Sequence, residues 1–205
     1  AWRQRTVVPP NRPRVSGLRA QGVAYGAGMR ASPLRLVSPG SIVGFFGDLA
    51  VPADFYWIAR DPVPLAGMAY PGRVDWSALA AEGVGHVVCL THDEPRYDPS
   101  PLSYTAVRLE DLYNGGRPTD PVAEQARIAE AADAVIEHLD AGTGVVVHCM
   151  GGRGRAGTVL GSALVRLGHD PDDVVDYLHR VHVGRGRKDG WPESKWQADV
   201  VRSSE

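Results

Sequence analysis

The residues best equipped for chemistry lie in one run, Val145-Val-Val-His-Cys149-Met-Gly-Gly-Arg-Gly-Arg155-Ala-Gly-Thr158. An apolar stretch of strand length leads into a glycine-rich loop, and a helical pattern follows. In that arrangement the loop amides of Met150, Gly151, Gly152, Arg153, Gly154 and Arg155 converge on one point, with the positive end of a helix dipole behind them. The three glycines let the loop adopt the backbone angles that crowd its amides together. Arg155 can fold back and grip two oxygens of a bound anion in its planar fork. Cys149 stands at the centre of this field, and a thiol beside arginine at a helix N-terminus is favoured as the nucleophilic thiolate. The run therefore combines a nucleophile with a cradle for a dianion. A buried, inert cysteine would have no use for three glycines and two arginines directly after it.

These residues need a scaffold, and the flanking pattern describes one. Phe55–Ile58 and Pro64–Met68 read as paired strands with Asp61-Pro62 at the turn. Asp75 to Gly83 reads as a short helix with a capping aspartate and a glycine stop. Gly85–Thr91 and Gly144–His148 are continuous apolar runs, expected of strands covered on both faces, and Tyr104–Leu109 is a weaker strand. Asp120-Pro121 opens a long helix with Ile128, Ala132, Val135 and Leu139 on one face. Further helices are expected over Ala156–Leu167 and from Asp170-Pro171 onward. Alternating strands and helices imply an α/β fold, a three-layer sandwich with a central, largely parallel sheet flanked by helices.

Composition limits the alternatives. The 205 residues carry 22 basic and 24 acidic side chains, a formal net charge of −2. That balance excludes a binder relying on bulk positive charge, so no nucleic-acid partner is expected. Two cysteines exclude a disulfide-dense scaffold and a four-cysteine zinc site. Cys89, among Val87, Val88 and Leu90, reads as packing, with a disulfide to Cys149 as the weaker alternative. The remaining histidines show no metal-ligand spacing, and no metal or cofactor is expected. No apolar run is long enough to cross a bilayer, so no stable membrane insertion is expected. Residues 1–50 are read as a basic, Pro/Gly/Arg-rich and poorly ordered tail, because seven arginines and no acid precede Asp48. Residues 51–205 are the expected catalytic domain, cytoplasmic and monomeric.

His148-Cys149-Met-Gly-Gly152-Arg-Gly-Arg155 resembles the H-C-x-x-G-x-x-R signature of the cysteine-dependent tyrosine and dual-specificity phosphatases. Its glycine pattern is similar to the branch containing cyclin-dependent-kinase-associated phosphatases and small bacterial relatives. The resemblance implies a phosphatase fold and a substrate that is a phosphorylated protein or a small phosphomonoester. It also implies hydrolysis of phosphotyrosine, with phosphoserine and phosphothreonine as further candidates, through a cysteinyl-phosphate on Cys149. Arg155 and the amides of residues 150–155 would bind phosphate, and His148 would hold and tune the cysteine. The family's general acid lies on a loop before the cysteine, where Glu110, Asp111 and Asp120 are candidates. Asp120 already serves as a helix cap, so Asp111 is chosen, although Asn114-Gly-Gly can be aligned on the acid position of some relatives.

The chain departs from the pattern at Ala156, where a Ser or Thr usually helps the thiolate leave; Thr158 is the nearby substitute. In the resemblance the same residue that serves as the acid, or water placed by Gln197, which weakly resembles a late glutamine of the family, would activate the second-step water. Arg153 is expected to add charge over the pocket mouth and to favour substrates with a second anionic group, phosphoinositides among them. Two rival readings stand beside the phosphatase. One is a rhodanese-like sulfurtransferase, and the other is an impaired, phosphate-binding pseudophosphatase.

Overall fold

A computed structural model of the protein describes residues 34–39, 54–113 and 115–204, all within one compact unit. Eleven elements follow in order among these residues: β1 (Arg35–Leu36), β2 (Phe55–Asp61), β3 (Leu65–Met68), α1 (Trp76–Ala81), β4 (Val84–Cys89), β5 (Ser103–Ala106), α2 (Pro121–Asp140), β6 (Gly144–His148), α3 (Gly154–Arg166), α4 (Pro171–Gly184) and α5 (Lys195–Arg202). They build one six-stranded sheet in the order β1-β2-β3-β6-β4-β5. The three pairings around β6 and β4 are parallel, whereas β1 and β2 add an antiparallel margin. The sheet is thus mixed, with its parallel part where the sequence pattern places it.

Strand β6 lies between β3 and β4 and is buried along its whole length, which explains its unbroken apolar run. Its alternate side chains serve opposite faces. Val145, Val147 and then Cys149 join the large core built with α2, α3, α4 and α5. Val146 joins the smaller core with Trp76 and Leu79 of α1. Two of the long helices, α2 and α4, begin at a capping aspartate. Asp120 accepts from the amides of Val122 and Ala123, both at 3.1 Å, with Pro121 in the first turn. Asp170 repeats this arrangement for α4. Gly83 takes φ +90° after α1, the backbone angle its predicted stop requires.

Two features depart from the sequence reading. Part of the segment read as a disordered tail belongs to the sheet: the Val37 amide donates to the Ile58 carbonyl (2.8 Å), and the buried Tyr177 hydroxyl donates to the Val37 carbonyl (2.9 Å). Leu34 and Leu36 pack on the large core, and this anchoring outweighs the poor composition of their surroundings. The rest of that segment, residues 1–33 and 40–50, lies outside the described residues. The second departure is α5, which was not anticipated. Its signal is the capping box Ser194-x-x-Gln197, which the structure forms.

Candidate active site

Cys149 follows the last residue of β6 and is 2% exposed, at the floor of the loop that joins β6 to α3. The loop is pinned on several sides. The Tyr70 amide donates to the Met150 carbonyl (2.9 Å). Gly152 takes φ +61°, and a Cβ there would lie 2.5 Å from the Ala69 amide nitrogen and the Met68 carbonyl carbon. Only glycine meets both demands. From beneath, Nη1 of the buried Arg185 donates to the Gly152 carbonyl (2.8 Å) and to Nδ1 of His182 (2.8 Å), while its guanidinium lies 4.1 Å from the Tyr56 ring centroid. Burial and Arg185 hold His182 neutral, well below the ordinary histidine range.

His148 faces the other side of the sheet. It is fully buried, and its Nε2 lies 2.5 Å from the Tyr97 hydroxyl. Its ring also meets Tyr70 edge-on, with centroids 5.7 Å apart. Burial above all pulls its pKa down to about 4, so the imidazole beside the nucleophile is neutral. Cys89 pairs in register with His148 on neighbouring strands, so both point to one face, opposite to Cys149. That geometry explains why both cysteines are free thiols.

Arg155 lies in the first turn of α3 and is 10% exposed. Its Nη2 donates to Oδ2 of Asp111 at 2.6 Å, and its Nη1 donates to the Leu109 carbonyl at 3.4 Å. The structure thus brings together nucleophile loop, arginine and the chosen acid. The other two acids are fully employed elsewhere. Glu110 accepts from the Thr119 amide (3.0 Å) and hydroxyl (3.0 Å), clasping the stem of the loop that carries Asp111. Glu124, buried in α2, accepts from the Glu110 amide at 2.8 Å. Asp120 caps α2. Asn114, the alternative alignment for the acid, lies outside the described residues.

The structure also places three further residues singled out from the sequence. Thr158 spends its one proton on the Gly154 carbonyl (2.8 Å), a bond within its own helix, so it does not direct that proton at the thiol. Gln197 is buried, and its Oε1 accepts from the Glu193 amide (2.9 Å) and the Ser194 amide (3.2 Å), so this oxygen serves the cap of α5. Arg153 does not stand over the mouth as a free cation: its side chain is 18% exposed, with Nε 3.7 Å from Oε1 of Glu193.

Glu193 was not singled out from the sequence. Burial raises its proton affinity above that of an ordinary glutamate. A Cβ on Gly154 would collide with Oε2 of Glu193. Arg185 was missed as well. Neither has a local motif, since each meets the loop only through the packing of α4 and α5 against α3. Among the described residues, no three histidine, cysteine, aspartate or glutamate side chains cluster to hold a metal ion.

Residues 52–190 match the phosphatase domain of the Swiss Army Knife proteins, described as a DSP-PTPase domain of the PTP-SAK type. The chain belongs to this family. It therefore carries a dual-specificity phosphatase-like domain of the hydrolase class. The fold agrees with solved structures. Kinase associated phosphatase is 17% identical with TM-score 0.55, covering 75% of this chain and 94% of that one. PTPMT1, solved in complex with PI(5)P, is 17% identical with TM-score 0.55, covering 73% and 94%. A mutant form of Tk-PTP is 22% identical with TM-score 0.52, covering 73% and 93%. Within this dual-specificity phosphatase family the match stops short of Glu193 and Gln197. None of the described helices is long and apolar enough to cross a membrane.

Proposed function

We propose that the protein hydrolyses phosphate monoesters of phosphotyrosine type in two steps through Cys149. The observation that carries this reading is the direct Arg155–Asp111 pair beside the loop seating Cys149. Arg155 and the amides of residues 150–155 would take the phosphate oxygens. The Cys149 thiolate attacks phosphorus, the P–O bond to the leaving group breaks, and its electron pair goes to the departing oxygen. Asp111 supplies the proton that this oxygen takes. Water then attacks phosphorus, Asp111, left as a carboxylate by the first step, takes its proton, and the P–S bond breaks with its electron pair returning to sulfur as the thiolate. Loop donors already in place stabilise the charge that develops on the equatorial oxygens.

In the phosphate-free site Asp111 and Arg155 hold one another. A bound dianion would draw Arg155 to itself and place negative charge beside Asp111, which favours the protonated form that an acid needs. Exposed apolar side chains support an aryl ester as substrate: Met150 directly follows the nucleophile, and Tyr113 lies two residues beyond Asp111. A phosphoinositide is the second reading, since PTPMT1 was solved with one. The inward turn of Arg153 toward Glu193 weakens it. A reducing, cytoplasmic compartment suits a thiolate nucleophile.

The test is release of phosphate from p-nitrophenyl phosphate with chelator present, together with vanadate binding. Wild type should turn over, and Cys149→Ser should lose activity by at least about a thousandfold while still binding vanadate. Turnover that survives Cys149→Ser would reject the reading. Thiocyanate formation from thiosulfate and cyanide would replace it with sulfur transfer.

A further inference from the structure

We propose that Glu124 is a positioning residue for the phosphate-binding Arg155, acting through the peptide group between Leu109 and Glu110. This inference rests on the two-step reading above and deepens it. One end of that peptide faces the site: the Leu109 carbonyl accepts from Nη1 of Arg155 at 3.4 Å. The other end faces α2: the Glu110 amide donates to Oε1 of Glu124 at 2.8 Å. The peptide is planar and trans, so its N–H and C=O point in opposite directions. A carboxylate that fixes the N–H therefore aims the C=O. The guanidinium of Arg155 and the carboxylate of Glu124 oppose one another across one peptide dipole.

The setting of Glu124 points the same way. Its side chain is only 2% exposed, on a helix face that otherwise carries Ile128, Ala131 and Leu139 inward. A carboxylate taken out of water is costly unless it is hydrogen-bonded, and a buried ion pair is a weak source of stability beside an apolar side chain. Each bond that Glu124 makes is nonetheless directed. Its Oε2 accepts from Nε (3.1 Å) and Nη2 (2.5 Å) of Arg127, three residues on, which leaves Oε1 for the Glu110 amide. Apolar bulk would fill this place in the core, but only an acceptor can hold the amide.

Both groups that hold Arg155 come from one short stretch of chain. Leu109 meets Nη1, and Asp111 meets Nη2 through Oδ2 at 2.6 Å. Behind that stretch stand Glu124 and the Glu110 carboxylate, which accepts from the Thr119 amide and hydroxyl, both at 3.0 Å. When phosphate arrives, Asp111 leaves Arg155 for the departing oxygen, and it later takes the proton of the attacking water. The Leu109 carbonyl then remains to set the plane of the guanidinium fork. Two-point binding of phosphate oxygens depends on that plane. Glu124 acts on the fork only through the backbone, and so positions a phosphate ligand without being one.

The experiment measures vanadate affinity, and kcat/KM on p-nitrophenyl phosphate, in Glu124→Leu and Glu124→Gln. The leucine variant has no acceptor and should lose about 10- to 100-fold in both quantities. The glutamine variant keeps an oxygen at the same reach and should stay within about threefold of wild type. Denaturant titration reads the folding of each, and Glu124→Ala replaces the leucine variant if that one does not fold. In an Arg155→Lys background the leucine substitution should change vanadate affinity by less than about twofold, because a lysine has no fork to orient. An equal loss in both backgrounds would make Glu124 a general support of the fold and overturn the proposal. Unchanged affinity in Glu124→Leu, or an equal loss in Glu124→Gln, would overturn it too. Any of these results, with turnover that depends on Cys149, rejects the role of Glu124 alone. Turnover that survives Cys149→Ser rejects the underlying reading and this role with it.

Discussion

Two carboxylates flank the anion cradle, and their surroundings differ as much as their origins. Asp111 sits on a loop clasped at its stem by Glu110 and Thr119, with its side chain 42% exposed and hydrogen-bonded to Arg155. Glu193 is held among buried groups of the α5 cap, 3.7 Å from Arg153 Nε, with a side chain only 17% exposed. One acid is free to follow the arginine when phosphate arrives. The other stays at a fixed place and holds a proton more readily. Environment, more than residue type, separates these two like groups.

The largest effect that would break this comparison comes from Asp111→Asn. It should lower kcat/KM for phenyl phosphate by about 10²–10⁴-fold, and by far less for an ester with a good leaving group. Steady-state kinetics across a series of aryl phosphates measures the slope. Equal losses along the series would remove Asp111 as the acid.

Gly154→Ala should act next most strongly, because the added methyl collides with Glu193. A cost of about 1–3 kcal/mol in unfolding free energy is expected from overpacking, read by denaturant titration. An unchanged unfolding free energy would mean that the Glu193 side chain moves aside without cost.

The smallest effect concerns the histidines behind the loop. His148 is held at about 4 and His182 well below its ordinary value, both chiefly by burial. In the unfolded chain they would protonate near 6.5. Their folded pKa values are depressed, so the unfolded state binds more protons as pH falls, and stability declines through the window from about 6.5 to 4. Each can contribute a slope of up to about 1.4 kcal/mol per pH unit. Replacing His182 with a neutral residue should flatten the curve measured by chemical denaturation, and an unaltered slope would mean that burial of His182 does not carry it.

The nucleophile loop was legible because its parts are consecutive. A strand end, three glycines and the first turn of a helix need only local geometry to converge on Cys149. Asp111 could be placed on its loop, and the duties of Asp120 as a cap followed from its position before Pro121. The edge strand at Arg35–Leu36 was hidden by the glycine- and proline-rich residues around it, since a two-residue pairing leaves almost no periodic trace. The contacts that Thr158, Gln197 and Arg153 make were not legible for a related reason. Proximity in sequence says nothing about which acceptor a hydroxyl, an amide or a guanidinium will meet.

Order along the chain settled the cradle, the cysteine within it and the α/β scaffold, because backbone amides and dipoles are arranged by neighbours a few residues apart. Packing settled everything that reaches the cradle from elsewhere. Arg185 beneath Gly152, Tyr97 on His148 and Glu193 against Gly154 are each more than thirty residues from their partners. A long-range contact depends on how α4 and α5 close over α3, and no local spacing encodes which polar group then falls within 3 Å of another.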